Sequence, residues 1–271
     1  MEIASQTPDR ERLSAVMAVI LLAFVVSRFV QLPGQTIGLE IAGIYLPLQL
    51  DINTPVALLV AGLTATGTDW ILQTEANAGS RSRYRHWLLP AMTAWVLSLP
   101  LASMPLNIEW WLALMLCAFF LLAVMLAEFA SSTSDNRYYS LATQALTILT
   151  LGLFLILAIT MRAVALRLYL VLPALGLGVL LAASRLQLLR LGQKWQPLQI
   201  VGITFICLQV AAALHYLPLS ALGYGLALLG VLYAFNHYLG ALNSEEPAAQ
   251  AVRQSLVSLA VFWALALLLG Q

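Results

Sequence analysis

The stretch that decides the fold is Trp110–Ala130, which reads WWLALMLCAFFLLAVMLAEFA and contains one charged residue, Glu128. A helix rises about 1.5 Å per residue, so about 20 apolar residues cross the roughly 30 Å of hydrocarbon in a bilayer. Backbone N–H and C=O groups cannot go unpaired in lipid, and the stretch lacks the alternation of barrel strands. It therefore predicts a membrane-spanning helix with a carboxylate near its end.

Eight further runs of this kind occupy most of the chain. They are Leu13–Val30, Thr54–Leu72, Trp87–Ser103, Tyr139–Met161, Val164–Ser184, Leu198–Leu217, Ser220–Leu239 and Arg253–Leu269. The division between the fifth and sixth helices is the least marked, because the chain is almost unbroken from Tyr139 to Arg190. We expect the turn at Met161–Arg167, the one charged place near the middle of this stretch. The sequence thus predicts an all-α bundle of nine spanning helices, within a range of eight to ten, forming a single membrane domain over residues 1–271.

The composition excludes most other classes of protein. Of the 271 residues, 61% are hydrophobic and 9% are charged, whereas a soluble domain has about 45–50% and about 25%. A soluble enzyme, a secreted disulfide scaffold, a disordered chain and a nucleic-acid-binding protein are therefore not expected. The two cysteines, Cys117 and Cys207, lie in apolar runs, where a thiol behaves as a small hydrophobe.

The segment between the first two helices has a different pattern. From Thr36 to Ile52 apolar residues alternate with other residues on both sides of a break at Ala42-Gly43. Period-two alternation across a short break predicts a β-hairpin with one apolar face. A lone hairpin is marginal in water, so we expect residues 36–52 to lie on the extracytoplasmic membrane surface or to cap the bundle. A binding or partner surface and an irregular loop are the alternatives.

The positions of Lys and Arg predict the orientation, because cytoplasmic loops are enriched in both. With a cytoplasmic N-terminus, nine crossings leave the C-terminus outside, whereas eight would return it to the cytoplasm. Ten of the 13 basic residues then fall in cytoplasmic segments: Arg10, Arg12, Arg81, Arg83, Arg85, Arg137, Arg185, Arg190, Lys194 and Arg253. The other three, Arg28, Arg162 and Arg167, fall on the outer side.

The outer side offers one candidate site for an anion or a lipid. It would use Arg28, Arg162, Arg167 and His215. Arginine on the outer side runs against the orientation rule, and its planar guanidinium suits phosphate or carboxylate. The alternative is an ion network satisfied within the protein by acidic residues of the same layer. These are Glu40, Asp51 and Glu109.

A second set of polar residues lies at the predicted cytoplasmic interface. Asp69 and Glu128 lie at the ends of the second and fourth helices, and His86 directly precedes the third. Ion pairs with the Arg81–Arg85 cluster or with Arg137 are the simplest role for the two carboxylates. A pocket containing Asp69, Glu128 and His86 would favour catalysis instead.

Gln209 is the most central strongly polar side chain of the predicted helices. It is a candidate for a polar transport pathway or for an interhelical hydrogen bond. Every ionisable residue falls in a loop or within about two turns of a predicted helix end, a pattern that disfavours a proton pump.

The sequence contains no motif for catalysis, metal binding or a cofactor. His215 and His237 are 22 residues apart at opposite ends of one helical hairpin, so they cannot share a haem iron. We therefore expect no catalytic residue, no metal and no cofactor. The first hypothesis is a non-catalytic accessory or scaffold component. The alternatives are a permease or flippase for an amphipathic anion or lipid, and a small lipid-modifying enzyme. The expected partners are membrane lipids and other membrane-protein subunits, without nucleic acid.

Overall fold

The structure is a computed structural model in which nine helices follow one another along the described part of the chain. The described residues are 10–29, 35–41, 44–50, 53–72, 84–132, 139–190, 196–243 and 247–270. The helices are α1 (Arg10–Phe29), α2 (Asn53–Leu72), α3 (Tyr84–Ser103), α4 (Ile108–Ser132), α5 (Tyr139–Ala163), α6 (Leu168–Arg190), α7 (Pro197–His215), α8 (Ala221–Asn243) and α9 (Ala248–Leu268). Eight of them are long and apolar enough to cross a membrane, and α3 is the exception. The chain is a multi-pass membrane protein, as its composition predicts.

Two short strands lie between α1 and α2, in the stretch where the apolar residues alternate. Strands β1 (Gln35–Ile41) and β2 (Ile44–Leu50) pair antiparallel, with Gln35 opposite Leu50 and Ile41 opposite Ile44. Residues 42 and 43, which connect the strands, lie outside the described residues. The apolar face of the pair and its extracytoplasmic position stay predictions.

The sequence prediction of a turn between the fifth and sixth helices is confirmed. Helix α5 ends at Ala163 and α6 begins at Leu168, with Ala165 between them in the left-handed region at φ 52°. That conformation usually belongs to glycine after a helix, and it costs other residues about 1–2 kcal/mol. The absence of Gly or Pro from Met161–Arg167 therefore hides the turn from a search for turn residues.

The predicted end of the sixth helix, at Ser184, is wrong. Helix α6 continues to Arg190, so Arg185 lies inside the helix and not in a cytoplasmic loop. Arg185 is only 3% exposed. The sequence pattern does not predict the true end of this helix. Two arginines after an apolar run are also typical of the start of a cytoplasmic loop.

Helix α3 does not combine the length and hydropathy expected of a membrane span, and it is one of the most enclosed helices. It packs against α2, α4, α5 and α6, and its residues Thr93, Ala94 and Val96 are fully buried. The helix continues through Pro90 and Pro100. Because neighbouring helices surround much of α3, polar atoms on it can be satisfied by protein, and such helices tolerate proline.

Polar contacts show which helix ends lie together. At one end of the bundle, Arg12 of α1 donates from Nη1 to the Trp70 carbonyl of α2, at 3.2 Å. At the other end, Arg28 of α1 donates from Nη2 to the Met104 carbonyl after α3, at 2.8 Å. We call these the Arg12 end and the Arg28 end. His86, at the start of α3, lies at the Arg12 end.

The last helix ends at the Arg28 end. Arg162, near the end of α5, donates to the His215 carbonyl at the end of α7. The Ser220 backbone N–H, just before α8, donates to the Gly270 carbonyl after α9, at 3.3 Å. The start of α1 and the end of α9 thus lie at opposite ends of the bundle, as nine alternating helices require.

Candidate functional site

The most enclosed ionic group in the described part of the chain is centred on Glu128 of α4. Its side chain is fully buried, and Oε2 lies 2.5 Å from Nη2 of Arg185 on α6. Nδ1 of His86 on α3 lies 2.8 Å from the same oxygen. A carboxylate only accepts hydrogen bonds, so both nitrogens act as donors. Three helices contribute one side chain each to this cluster, which we call the Glu128 cluster.

The cluster lies inside the helical layer rather than in a loop. Glu128 comes four residues before the end of α4, which is about 6 Å along the axis. Arg185 comes five residues before the end of α6, about 8 Å along the axis. The sequence predicts interfacial pairing of Glu128 with Arg81–Arg85 or Arg137. Within the described residues, Glu128 pairs with Arg185 inside the bundle. The side chains of those predicted partners lie outside the described residues.

Two polar atoms of the Glu128 cluster make no hydrogen bond within the described residues. Oε1 of Glu128 is buried and accepts no hydrogen bond there. Nε2 of His86 makes none there either, and the His86 side chain is 15% exposed. A carboxylate that holds one imidazole nitrogen and leaves the other open is the arrangement of a general acid or base. The cluster can therefore tie three helices together or transfer a proton.

Asp69 does not join this cluster. It lies on α2 near the helix end and is half-buried. His86 and Arg185 each bond to Glu128, and within the described residues neither His86 nor Glu128 bonds to Asp69. The structure therefore brings together two of the three residues of the predicted cytoplasmic-interface set.

Arg162 is held by the backbone of the loop between α7 and α8. Its Nη1 donates to the His215 carbonyl at 2.8 Å, and its Nη2 donates to the carbonyls of Leu217 at 2.9 Å and Leu219 at 3.5 Å. The guanidinium also lies 5.6 Å from the ring centroid of Tyr224. The last carbonyls of a helix lack partners within it, and Arg162 supplies donors to this region.

Of the other residues of the predicted outer site, His215 meets Arg162 through its backbone carbonyl, and no described contact joins the side chains of Arg28, Arg167 or His215 to that of Arg162. Arg167 is exposed, and His215 is half-buried with its ring 5.5 Å from that of Tyr216. Arg28 lines a cavity of about 30 Å³ between α1, α2, α3 and α4, together with Ser98 and Trp110. A cavity of that size has room for water. The anion site on these four residues stays a prediction.

Replacing Arg162 with glutamine should destabilise the protein by about 2 kcal/mol, because hydrogen bonds from a charged donor contribute about 1.5–3 kcal/mol. Arg167→Gln is the matched control, since this arginine is exposed and should change stability by less than about 0.5 kcal/mol. Thermal unfolding in mild detergent measures both variants. Equal loss of bound anionic lipid with unchanged stability in both would instead support the predicted anion site.

Gln209 lies on the exposed face of α7 and not in the interior of the bundle. A polar pathway that uses it would have to run along the surface of the protein. Its role in transport stays a prediction.

Sequence reasoning missed Arg185 as a member of the candidate site. One signal was present, because the apolar run that begins at Val164 extends past Ser184 to Leu188 and Leu189 with few interruptions. A predicted helix that ended at Arg190 would have placed Arg185 about as far from the end of the bundle as Glu128.

In the part of the chain that the structure describes, eight apolar helices and an ionic cluster between three helices define a polytopic membrane protein. The chain belongs to the family described as Protein of unknown function (DUF5656), whose model matches residues 32–269. No curated protein and no solved structure matches the chain. The activity therefore has to be inferred from the residues themselves.

Proposed function

We propose that this protein is a non-catalytic membrane component with an accessory or scaffold role. The observation that carries the proposal is the Glu128 cluster, in which a buried carboxylate binds side chains of α3 and α6. Paired polar groups in a membrane interior can fix how helices associate. Arg28 and Arg162 support the same role, because each donates to the backbone of another segment. These contacts weigh against a permease that uses the outer arginines.

Purification from native membranes in a mild detergent tests this proposal. We expect the full chain to retain a membrane-protein partner in a fixed ratio, together with lipid. The reconstituted chain alone should convert no membrane lipid to product. A chain that stays free of other proteins and converts lipid in pure vesicles would overturn the proposal.

A small lipid-modifying enzyme is the second candidate, and one observation favours it. Glu128 holds His86 through Nδ1, and within the described residues Nε2 makes no hydrogen bond at a side chain that is 15% exposed. An oriented imidazole can act as a general base on a lipid head group. His86→Gln should then abolish lipid conversion in vesicles, whereas His215→Gln, at the opposite end, should retain it. Equal activity of both variants would exclude His86 as the base.

We propose a cytoplasmic Arg12 end and an extracytoplasmic Arg28 end, following the distribution of arginine. Labelling with a membrane-impermeant maleimide in sealed cells tests the orientation. Arg167→Cys should react from outside, and Gln250→Cys, at the start of α9, only after permeabilisation. The native Cys117 and Cys207 are buried and should contribute little background. The reverse labelling pattern would reverse the orientation.

A further inference from the structure

The outward face of α7 carries a seam with heptad spacing. Its positions alternate in steps of four and three residues, and five of the six are exposed, Ala212 being half-buried. They are Leu198, Gly202, Phe205, Gln209, Ala212 and, directly after the helix, Tyr216. Leu198 is 85% exposed and Phe205 is 61% exposed. This spacing is typical of a helix that packs lengthwise against another helix, and no described helix covers it.

Exposure of this face to lipid is unfavourable because the face carries Gln209. It lies three residues beyond Ile206, the midpoint of α7, and therefore about 4.5 Å from the middle of the helix. Its amide makes no hydrogen bond within the described part of the chain, and hydrocarbon chains offer neither donor nor acceptor. Transfer of an unpaired amide from water to cyclohexane costs about 4–8 kcal/mol. A polar partner at this depth would remove that cost.

Gly202 lies seven residues before Gln209, on the same seam. A Cβ atom placed there meets nothing within 4 Å, so packing inside the bundle does not require a glycine. Gly230 on α8 differs, because a Cβ atom there would lie 2.6 Å from Cβ of Phe262 on α9. Small residues let two membrane helices approach closely. Gly202 is therefore suited to close contact with a helix of another chain.

We propose that α7 packs against α7 of a second copy of this chain, about a two-fold axis along the membrane normal. Copies with the same membrane orientation bring their α7 helices together in parallel. A two-fold axis places Gln209 opposite its own counterpart, and an amide has both a donor and an acceptor, so the two side chains can bond to each other. This self-complementarity favours a second copy over an unrelated helix. The proposal does not depend on whether the protein is catalytic.

The test compares oligomeric state in lipid vesicles, measured by single-molecule photobleaching of the labelled full chain over a range of protein densities. We expect the wild type to form dimers. Gln209→Leu should weaken the dimer about threefold to twentyfold, because such hydrogen bonds contribute about 0.6–1.7 kcal/mol. Gly202→Leu should weaken it at least as much by blocking close approach.

Two matched controls use the same chemical changes at other exposed positions. Gln144 lies on the exposed face of α5, and Gly62 of α2 also has open space around a Cβ atom. Gln144→Leu and Gly62→Leu should leave the dimer unchanged. Thermal unfolding of each variant checks that the monomer fold is intact.

A direct crosslink gives the second measurement. Gly202→Cys should form an intermolecular disulfide on oxidation, and Gly62→Cys should not. A monomeric wild type, or dimers that resist both Gln209→Leu and Gly202→Leu, would overturn the proposal. A different membrane protein crosslinked to Gly202→Cys, with no copy-to-copy product, would overturn the choice of partner. None of these failures would contradict the scaffold proposal, which depends on the Glu128 cluster.

Discussion

Replacing Glu128 with leucine should lower the free energy of unfolding by about 3–5 kcal/mol, because removing one partner of a buried ion pair is strongly destabilising. Arg185, whose side chain is 4% exposed, would lose its contact with the carboxylate. His86 would lose its carboxylate partner in the same change. Thermal or detergent-induced unfolding of the purified variant measures the loss.

Two comparisons separate this effect from a general effect of leucine on α4. Glu109, at the start of α4, is exposed, so Glu109→Leu should change stability by less than about 0.5 kcal/mol. The double variant Glu128→Leu/Arg185→Leu should recover most of the stability, since apolar residues can replace a buried pair at little cost. If Glu128→Leu is as stable as Glu109→Leu, the Glu128 cluster does not hold the bundle together.

Replacing Gly223 with alanine should separate α9 from α8. The new Cβ would lie 2.8 Å from the Ala266 carbonyl oxygen and 3.0 Å from the Gly270 Cα. Both are backbone atoms, which yield only if α9 itself moves. Overpacking of this kind costs about 1–3 kcal/mol, and α9 packs mainly on α8. Faster hydrogen exchange along α9 and a lower unfolding temperature are the expected results.

The control for Gly223 is a glycine with room around it. Gly62→Ala should leave α9 unchanged and stabilise α2 by up to about 1 kcal/mol, because glycine weakens a helix relative to alanine. An unchanged exchange rate of α9 in Gly223→Ala would show that the α8–α9 contact is looser than the structure indicates.

The helical fold follows from the sequence because hydrocarbon restricts the choice of backbone structure. Each of the nine apolar runs overlaps a helix, and the predicted end of the second helix, Leu72, agrees with the structure. The sixth helix is less predictable, since nothing local distinguishes Ser184–Arg190 from a basic loop. The turn at Ala165 contains neither glycine nor proline, and only the charged residues around it predict its position.

The candidate site is less predictable than the fold because it depends on how helices are rotated against one another. His86 and Glu128 can be assigned to one end of the bundle from sequence, but their contact requires α3 and α4 to face each other at that depth. To predict the contact of Arg185, one must also know how far α6 is shifted along its axis relative to α4. The outward direction of Gln209 likewise follows from packing, since a central glutamine can face either a neighbour or the lipid.

The Glu128 cluster also constrains how the protein is made. His86 precedes Glu128 by 42 residues and Arg185 follows it by 57, so a ribosome delivers the carboxylate after the imidazole and before the guanidinium. Insertion of α4 therefore exposes Glu128 to the bilayer with one of its two ligands still to be synthesised. The α4 span is the most apolar of the eight candidate spans, which helps it to enter the membrane during that interval.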